Sequence, residues 1–152
     1  MISWLHLIHV LAAMVWVGGG VTLTLLGVRA RSSPDPHAIG QFAKTLPYVG
    51  VRVLAPAVVL VLVTGVWMVV TSAGWKFTQL WVQLALGLFA IAALVGAGYL
   101  SRVGIQLERA VGAGGSGREA TGSLVNRWLF GYSVVLVALL VIVWDMVFKP
   151  GL

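Results

Sequence analysis

The sequence predicts an all-α membrane protein: one domain, residues 1–152, with four transmembrane helices in an up-down bundle. The chain is 60% hydrophobic and 9% charged, whereas about a quarter of the residues in a soluble domain are charged. Its apolar residues gather into four runs of about 20 residues or more, which is the length a helix needs to cross the hydrocarbon. None of the runs alternates as a barrel strand would, so each predicts a helix.

The four predicted spans lie at about Ile2–Val28, Leu46–Thr71, Gln79–Ser101 and Leu124–Phe148. The first lacks a basic leader and a small-x-small cleavage site, so we expect a retained helix rather than a signal peptide. In the second, Pro56 predicts a kink and Thr64–Gly65 indicates close packing. A short amphipathic piece follows the third span. It leads into a glycine-rich stretch, Gly112–Gly117, that we expect to be flexible.

Lysine and arginine predict the orientation of the bundle. Eight of them lie in or beside the first and third connections: Arg29, Arg31, Lys44, Arg52, Arg102, Arg109, Arg118 and Arg127. Lys76 and Lys149 stand on the opposite side. Because basic residues concentrate on the cytoplasmic side, both termini are predicted to be extracytoplasmic, in the bacterial cytoplasmic (inner) membrane. The net charge of +6 is therefore a topology signal and does not indicate a nucleic-acid partner.

Tryptophans cluster near the predicted outer surface. They are Trp4, Trp75, Trp81 and Trp144. Because indoles favour the membrane–water interface, we interpret these four as residues of an aromatic belt.

The first span, "WLHLIHVLAAMVWVGGG", carries a stripe of polar and small side chains. At about 100° per residue, His6, His9 and Trp16 share one face, which we expect to turn inward because polar groups avoid lipid. Similar stripes on the third and fourth spans bring Gln83 and Asp145 to the same depth. The sequence therefore predicts a cluster of His6, His9, Gln83 and Asp145 inside the outer half of the bundle.

An ionisable group at membrane depth is a functional-site hypothesis by default. His6, His9 and Asp145 make a ligand set suited to copper, zinc or an iron ion. Haem b is the other candidate, held by one axial histidine because both histidines share a helix. A purely structural alternative remains open, in which the histidines tie helices together, Asp145 pairs with Lys149, and no cofactor is bound.

Arg52, one turn before Pro56, has two interpretations. Its side chain extends to lipid phosphates, or it binds a haem propionate or an anionic headgroup. The sequence has no paired-carboxylate site, no Ser-His-Asp order, no P-loop and no dinucleotide fingerprint. It also lacks cysteine, which excludes disulfides and thiolate metal sites. Whether the protein is an enzyme is left open.

The segment "HVLAAMVWVGG", from His9 to Gly19, resembles the first-helix signature of the four-helix superfamily of copper-resistance D-type membrane proteins. That superfamily includes the HemJ-type protoporphyrinogen oxidases. The proline and "TG" of the second span, with the closing "MVFKPGL", resemble one of its uncharacterised bacterial families of predicted integral membrane proteins.

This resemblance covers the whole chain in layout and implies a four-helix bundle in which His9 matches the superfamily's first-helix histidine. In the HemJ-type branch that histidine is associated with haem b, and in the copper-resistance branch the proposed cargo is copper. The chain lacks the HemJ-type intramembrane lysine and a Met-rich copper segment, so the resemblance implies fold and membrane placement rather than an activity. The candidate cofactor-binding residues are His9, His6, Trp16 and Arg52.

Two classes of function follow. The first is a redox or metal- or haem-handling role at the histidines. The second is a cofactor-free interaction or assembly subunit, as a homo-oligomer or in a partner membrane complex, packed through Gly18–Gly20 and Gly96–Gly98. A small oligomeric transporter is a further alternative.

Overall fold

The computed structural model describes residues 2–35, 37–112 and 118–150. These residues form six α-helices: α1 (Ile2–Ser32), α2 (Ala38–Val49), α3 (Ala55–Thr71), α4 (Leu80–Leu94), α5 (Ser101–Gly112) and α6 (Arg118–Phe148). Two π-helical segments, Gly50–Leu54 and Val95–Leu100, join α2 to α3 and α4 to α5. The chain thus makes four continuous helical rods, all long and apolar enough to cross a membrane, which confirms the predicted fold class.

The rods are longer than the predicted spans. The second covers Ala38–Thr71 and the third Leu80–Gly112, each about 50 Å at a rise of about 1.5 Å per residue, against a hydrocarbon core of about 30 Å. The added length in each is an amphipathic segment, α2 or α5. Polar residues are interspersed among its apolar ones, so its mean hydropathy is too low to predict part of a membrane span. Of the predicted flexible stretch, Gly112 ends α5 and residues 113–117 lie outside the described residues.

The bundle is closed differently at its two ends. We call the end with the α1–α2 and α5–α6 connections the loop end. The end where α1 begins, α6 finishes and residues 72–79 join α3 to α4 is the terminal end. Along the bundle α1 packs against α3 and α6, and α4 packs against α6, while α2 packs against α5 at the loop end. No extensive packing joins α3 and α4 in the described part of the chain.

The loop end holds the tightest part of the hydrophobic core. Trp128 of α6 stacks on Tyr132, with ring centroids 5.0 Å apart, and meets the edge of Phe42 from α2 at 5.4 Å. Leu107 of α5 and Val125 of α6 are completely buried beside them. Phe42 and Leu107 lie outside the predicted spans, so residues expected in polar connections supply much of this core.

The second rod departs from regular α-helix near its prolines. Pro47 lies inside α2 and Pro56 in the first turn of α3. Each proline removes a backbone N–H donor, and the wider π-helical turn, Gly50–Leu54, lies between them. The irregularity expected at Pro56 therefore takes the form of a π-helical segment.

Two glycines of α1 pack closely against side chains of other helical segments. A Cβ atom built at Gly20 would lie 2.5 and 2.7 Å from ring atoms of Tyr132, and one at Gly19 would lie 2.8 Å from Leu54 Cδ2. A Cβ at Gly18 would meet nothing within 4 Å. Gly20 is therefore a close-approach position for the Tyr132 ring.

We expect Gly20→Ala to lower the free energy of unfolding by about 1–3 kcal/mol, since the added methyl overpacks against a rigid ring. Gly18→Ala is the matched control in the same helix. It gains helix propensity with no clash, by roughly 0.5–1 kcal/mol. Thermal unfolding of the two variants in detergent measures the difference, and equal midpoints would contradict the packing of Tyr132 on Gly20.

Candidate ligand-binding cavity

A cavity of about 770 Å³ lies between the helices at the terminal end. Its volume falls in the range of small-molecule and cofactor sites, about 300–1,000 Å³. Residues of α1, α3, α4 and α6 and of the 72–79 connection line it. Because α3 and α4 do not pack extensively, the side between them is not closed by helix contact.

The cavity wall is mainly aliphatic and aromatic. Trp16 of α1 is buried and meets the edge of Phe89 of α4, with ring centroids 5.5 Å apart. Trp81 of α4 and Met68 of α3 also line the cavity, and both are buried. The structure thus places Trp16, a predicted site residue, beside the cavity that His9 also lines.

His9 is buried and bonded to the neighbouring helix. Its Nδ1 lies 2.9 Å from Oγ1 of Thr64 in α3. A threonine hydroxyl has one proton, and Thr64 donates it to the main-chain carbonyl of Leu60. The hydroxyl oxygen must then accept from Nδ1 of His9, which leaves the lone pair of the neutral ring on Nε2.

Gly65 gives the imidazole room against α3. A Cβ atom at Gly65 would lie 3.1 Å from Cε1 of His9, tighter than most real contacts. The pair Thr64–Gly65, expected to mark close packing, therefore acts on His9 specifically. Thr64 orients the imidazole ring, and Gly65 leaves space for it.

His6 also lines the cavity, nearer its mouth. It is exposed, and its ring meets Trp75 of the 72–79 connection edge-on, with centroids 5.7 Å apart. The predicted shared face of His6 and His9 is therefore present, with His9 deep and His6 at the rim.

Asp145 is 1% exposed, and neither of its carboxylate oxygens has a hydrogen-bond partner among the described residues. It does not line the cavity. In the described part of the chain no three histidine or acidic side chains are close enough to hold one metal ion. The structure therefore does not bring His6, His9 and Asp145 together as a ligand set.

Gln83 does not join the expected cluster, because its side chain is exposed on the outer surface of α4. Helix α4 instead turns Trp81, Val82 and Ala85 inward. Gln83 follows Val82 by about 100° around the helix. The apolar residues that pack on α6, rather than the polar stripe, decide which face is buried.

Arg52 lies far from His9. Its side chain is exposed, and the guanidinium carbon stands 5.2 Å from the centre of the Tyr48 ring. Twelve residues separate it from Thr64, about 18 Å along the rod at about 1.5 Å per residue. Arg52 is therefore not brought to the cavity.

Sequence reasoning missed the residues at the mouth of the cavity. Trp75 and Trp81 both line it, and Trp81 is buried, whereas Trp4 and Trp144 are exposed as belt residues would be. Lys149 also lines the cavity, with its Nζ 4.7 Å from the Trp75 ring and 5.6 Å from the Trp81 ring. From the sequence, this lysine indicates orientation or a pairing with Asp145, and neither interpretation places it at a cavity.

Residues 3–150 match the family described as predicted integral membrane protein, DUF2269. The chain belongs to the DUF2269 family. No curated protein and no solved structure matches it. The matched residues span all four membrane-length rods and include His9, Thr64 and Gly65.

We expect Thr64→Val to lower the free energy of unfolding by roughly 0.6–1.7 kcal/mol, from the average to the largest value measured for interhelical hydrogen bonds in a membrane protein. Thr24→Val is the matched control, because the Thr24 hydroxyl also donates to the carbonyl four residues back but bonds to no other helix among the described residues. Its change should stay within about 0.5 kcal/mol. If both variants lose the same stability in detergent, the His9–Thr64 bond does not tie α1 to α3.

Proposed function

We propose that this integral membrane protein binds haem b in the terminal-end cavity through Nε2 of His9 and serves a redox or haem-handling role. The observation that carries the proposal is the hydrogen bond from His9 Nδ1 to Thr64 Oγ1 beside an apolar cavity. Histidines that ligate metals commonly donate the other ring N–H to an oxygen, which fixes the tautomer and the ring orientation.

The ligand set favours haem over a bare copper, zinc or iron ion. A bare ion takes three or four protein ligands, and the described residues gather no such group of histidines and acids. A porphyrin supplies four ligands itself, so the protein need add one or two axial donors. The cavity offers His9, with Met68 and Met146 as softer donors on its wall.

The chain's own side chains would do three things for this cofactor. His9 would bind the iron through Nε2, and Thr64 would fix the orientation of the imidazole ring through its hydrogen bond. Trp16 and Phe89 would cover the porphyrin and keep water from it. When bound, haem supplies a one-electron iron couple whose potential depends on the axial ligands and on burial.

Membrane placement follows from the basic residues. With the predicted orientation, the cavity lies in the outer half of a bacterial cytoplasmic membrane and both ends of the chain are extracytoplasmic. We propose that the family belongs to the copper-resistance D-like and HemJ-like superfamily. The support is the segment "HVLAAMVWVGG", from His9 to Gly19, which resembles the first-helix signature of that superfamily.

We expect the purified protein, loaded with haem, to show a Soret band at one haem per chain. His9→Ala should abolish this band, because it removes the axial nitrogen. His37→Ala, an exposed histidine at the loop end, should leave it unchanged. Elemental analysis in parallel tests the bare-ion alternative. A Soret band that persists in His9→Ala, or none in the wild type, would disprove the haem assignment.

A second candidate function, assembly with a copy of itself or with a partner membrane complex, is favoured by the surface of the third rod. Gly87, Gly96 and Gly98 each have open space where a Cβ would stand. Gln83 is exposed on the same rod. Small residues allow close helix approach in membranes, and an exposed amide there gains from a partner across the contact.

For this candidate, Gly87→Leu and Gly96→Leu should shift an oligomer to monomer in light scattering or native mass spectrometry, because leucine blocks close approach. Gly74→Leu, in the 72–79 connection where a Cβ would also meet nothing, is the control. A wild type that is already monomeric in mild detergent would count against assembly.

A further inference from the structure

Lys149 is the one basic or acidic side chain, apart from the two histidines, among the described residues that line the cavity. It follows the last residue of α6 and stands at the mouth of the cavity, at the terminal end. All the other lining residues are apolar except the two histidines and a few indole N–H groups. A single cation at the rim of an apolar cavity needs a physical reason.

The backbone holds this lysine in a conformation that usually belongs to glycine. Lys149 has φ 44°, and its N–H donates to the Asp145 carbonyl at 2.8 Å. A left-handed residue after a helix end is a common termination, and glycine is preferred there because other residues are strained. Pro150 follows and cannot continue the helix. The turn brings the ammonium back over the bundle.

Two indole rings fix the ammonium at the cavity. Its Nζ lies 4.7 Å from the centre of the Trp75 ring and 5.6 Å from that of Trp81. Both distances are within the range of a cation–π contact. Because Trp75 belongs to the 72–79 connection and Trp81 to α4, three separate parts of the chain converge on this charge.

No acid of the protein neutralises Lys149 in the described residues. The chain has four acidic residues, and Asp35, Glu108 and Glu119 lie at the loop end. The fourth, Asp145, has no hydrogen-bond partner on either carboxylate oxygen. The pairing of Asp145 with Lys149 that the sequence left open is therefore not formed.

We propose that Lys149 binds the acidic group of the cavity's ligand, which is an apolar molecule carrying a carboxylate at one edge. The ligand enters from the bilayer through the side between α3 and α4, where helix packing does not close the wall. The inference rests on the proposed function in one respect: haem b has this chemistry, an apolar ring with two carboxylates on one edge. A fatty acid from the leaflet has the same chemistry and is the other source.

The experiment compares acids with their esters. Haem-free protein in nanodiscs is titrated with haemin and with its dimethyl ester, followed by the Soret band. It is also titrated with brominated stearate and its methyl ester, followed by quenching of tryptophan fluorescence. The wild type should bind an acid about 10-fold tighter than its ester, the size of a charge-assisted contact.

Lys149→Gln should abolish the preference for the acid and leave binding of the ester unchanged, whereas Lys149→Arg should keep the preference. Lys76→Gln is the matched control: it removes a charge at the same end from an exposed lysine that does not line the cavity. The acid-over-ester ratio is a comparison within one variant, so a loss of stability alone does not change it.

The haemin and stearate titrations test the role of Lys149 separately from the haem assignment. If haemin and its ester both fail to bind, the haem assignment is wrong, and the stearate pair then decides the role of Lys149. A preference for either acid that depends on Lys149 supports the inference. An acid-over-ester ratio near one in the wild type, or an unchanged ratio in Lys149→Gln, overturns it.

Discussion

The contact between α2 and α5 closes the ring of four rods at the loop end, and the shape of the rest depends on it. The rods are about 50 Å long and a hydrocarbon core is about 30 Å thick, so we expect these amphipathic segments to extend into water, where burying Phe42 and Leu107 removes apolar surface from solvent. Within lipid that driving force is absent, because acyl chains are as apolar as the side chains. With the rods anchored at one end, α3 and α4 can diverge at the other end and leave a cavity.

The hydrogen bond between His9 and Thr64 also determines how α1 packs against α3 inside lipid. A buried imidazole without a partner is costly where no water can replace one, so this bond fixes which face of α1 meets α3. Gly65 allows the approach, and Trp16 then falls on the cavity wall two turns further along α1. One polar contact thus sets both the helix pairing and the direction in which the apolar wall faces.

The sequence predicted the four rods from hydropathy, and it predicted that His9 and Asp145 are buried from their positions on polar stripes. It failed for Gln83, because the volumes of Trp81 and its apolar neighbours decide which face of α4 packs on α6. The position of Lys149 at the cavity could not be predicted from the sequence, for a different reason. Its position depends on a left-handed turn that brings it against rings distant in the chain, and no local pattern encodes that meeting.

Lys149 lies over two indole rings and forms no hydrogen bond with the Asp145 carboxylate. A cation over an indole contributes about 0.5–1 kcal/mol when exposed and about 2 kcal/mol once desolvated. A ring face attracts the ammonium without neutralising it, so the charge stays able to attract an anion. The sequence predicted Trp75 and Trp81 to be belt residues. In the structure they hold a positive charge at the cavity mouth.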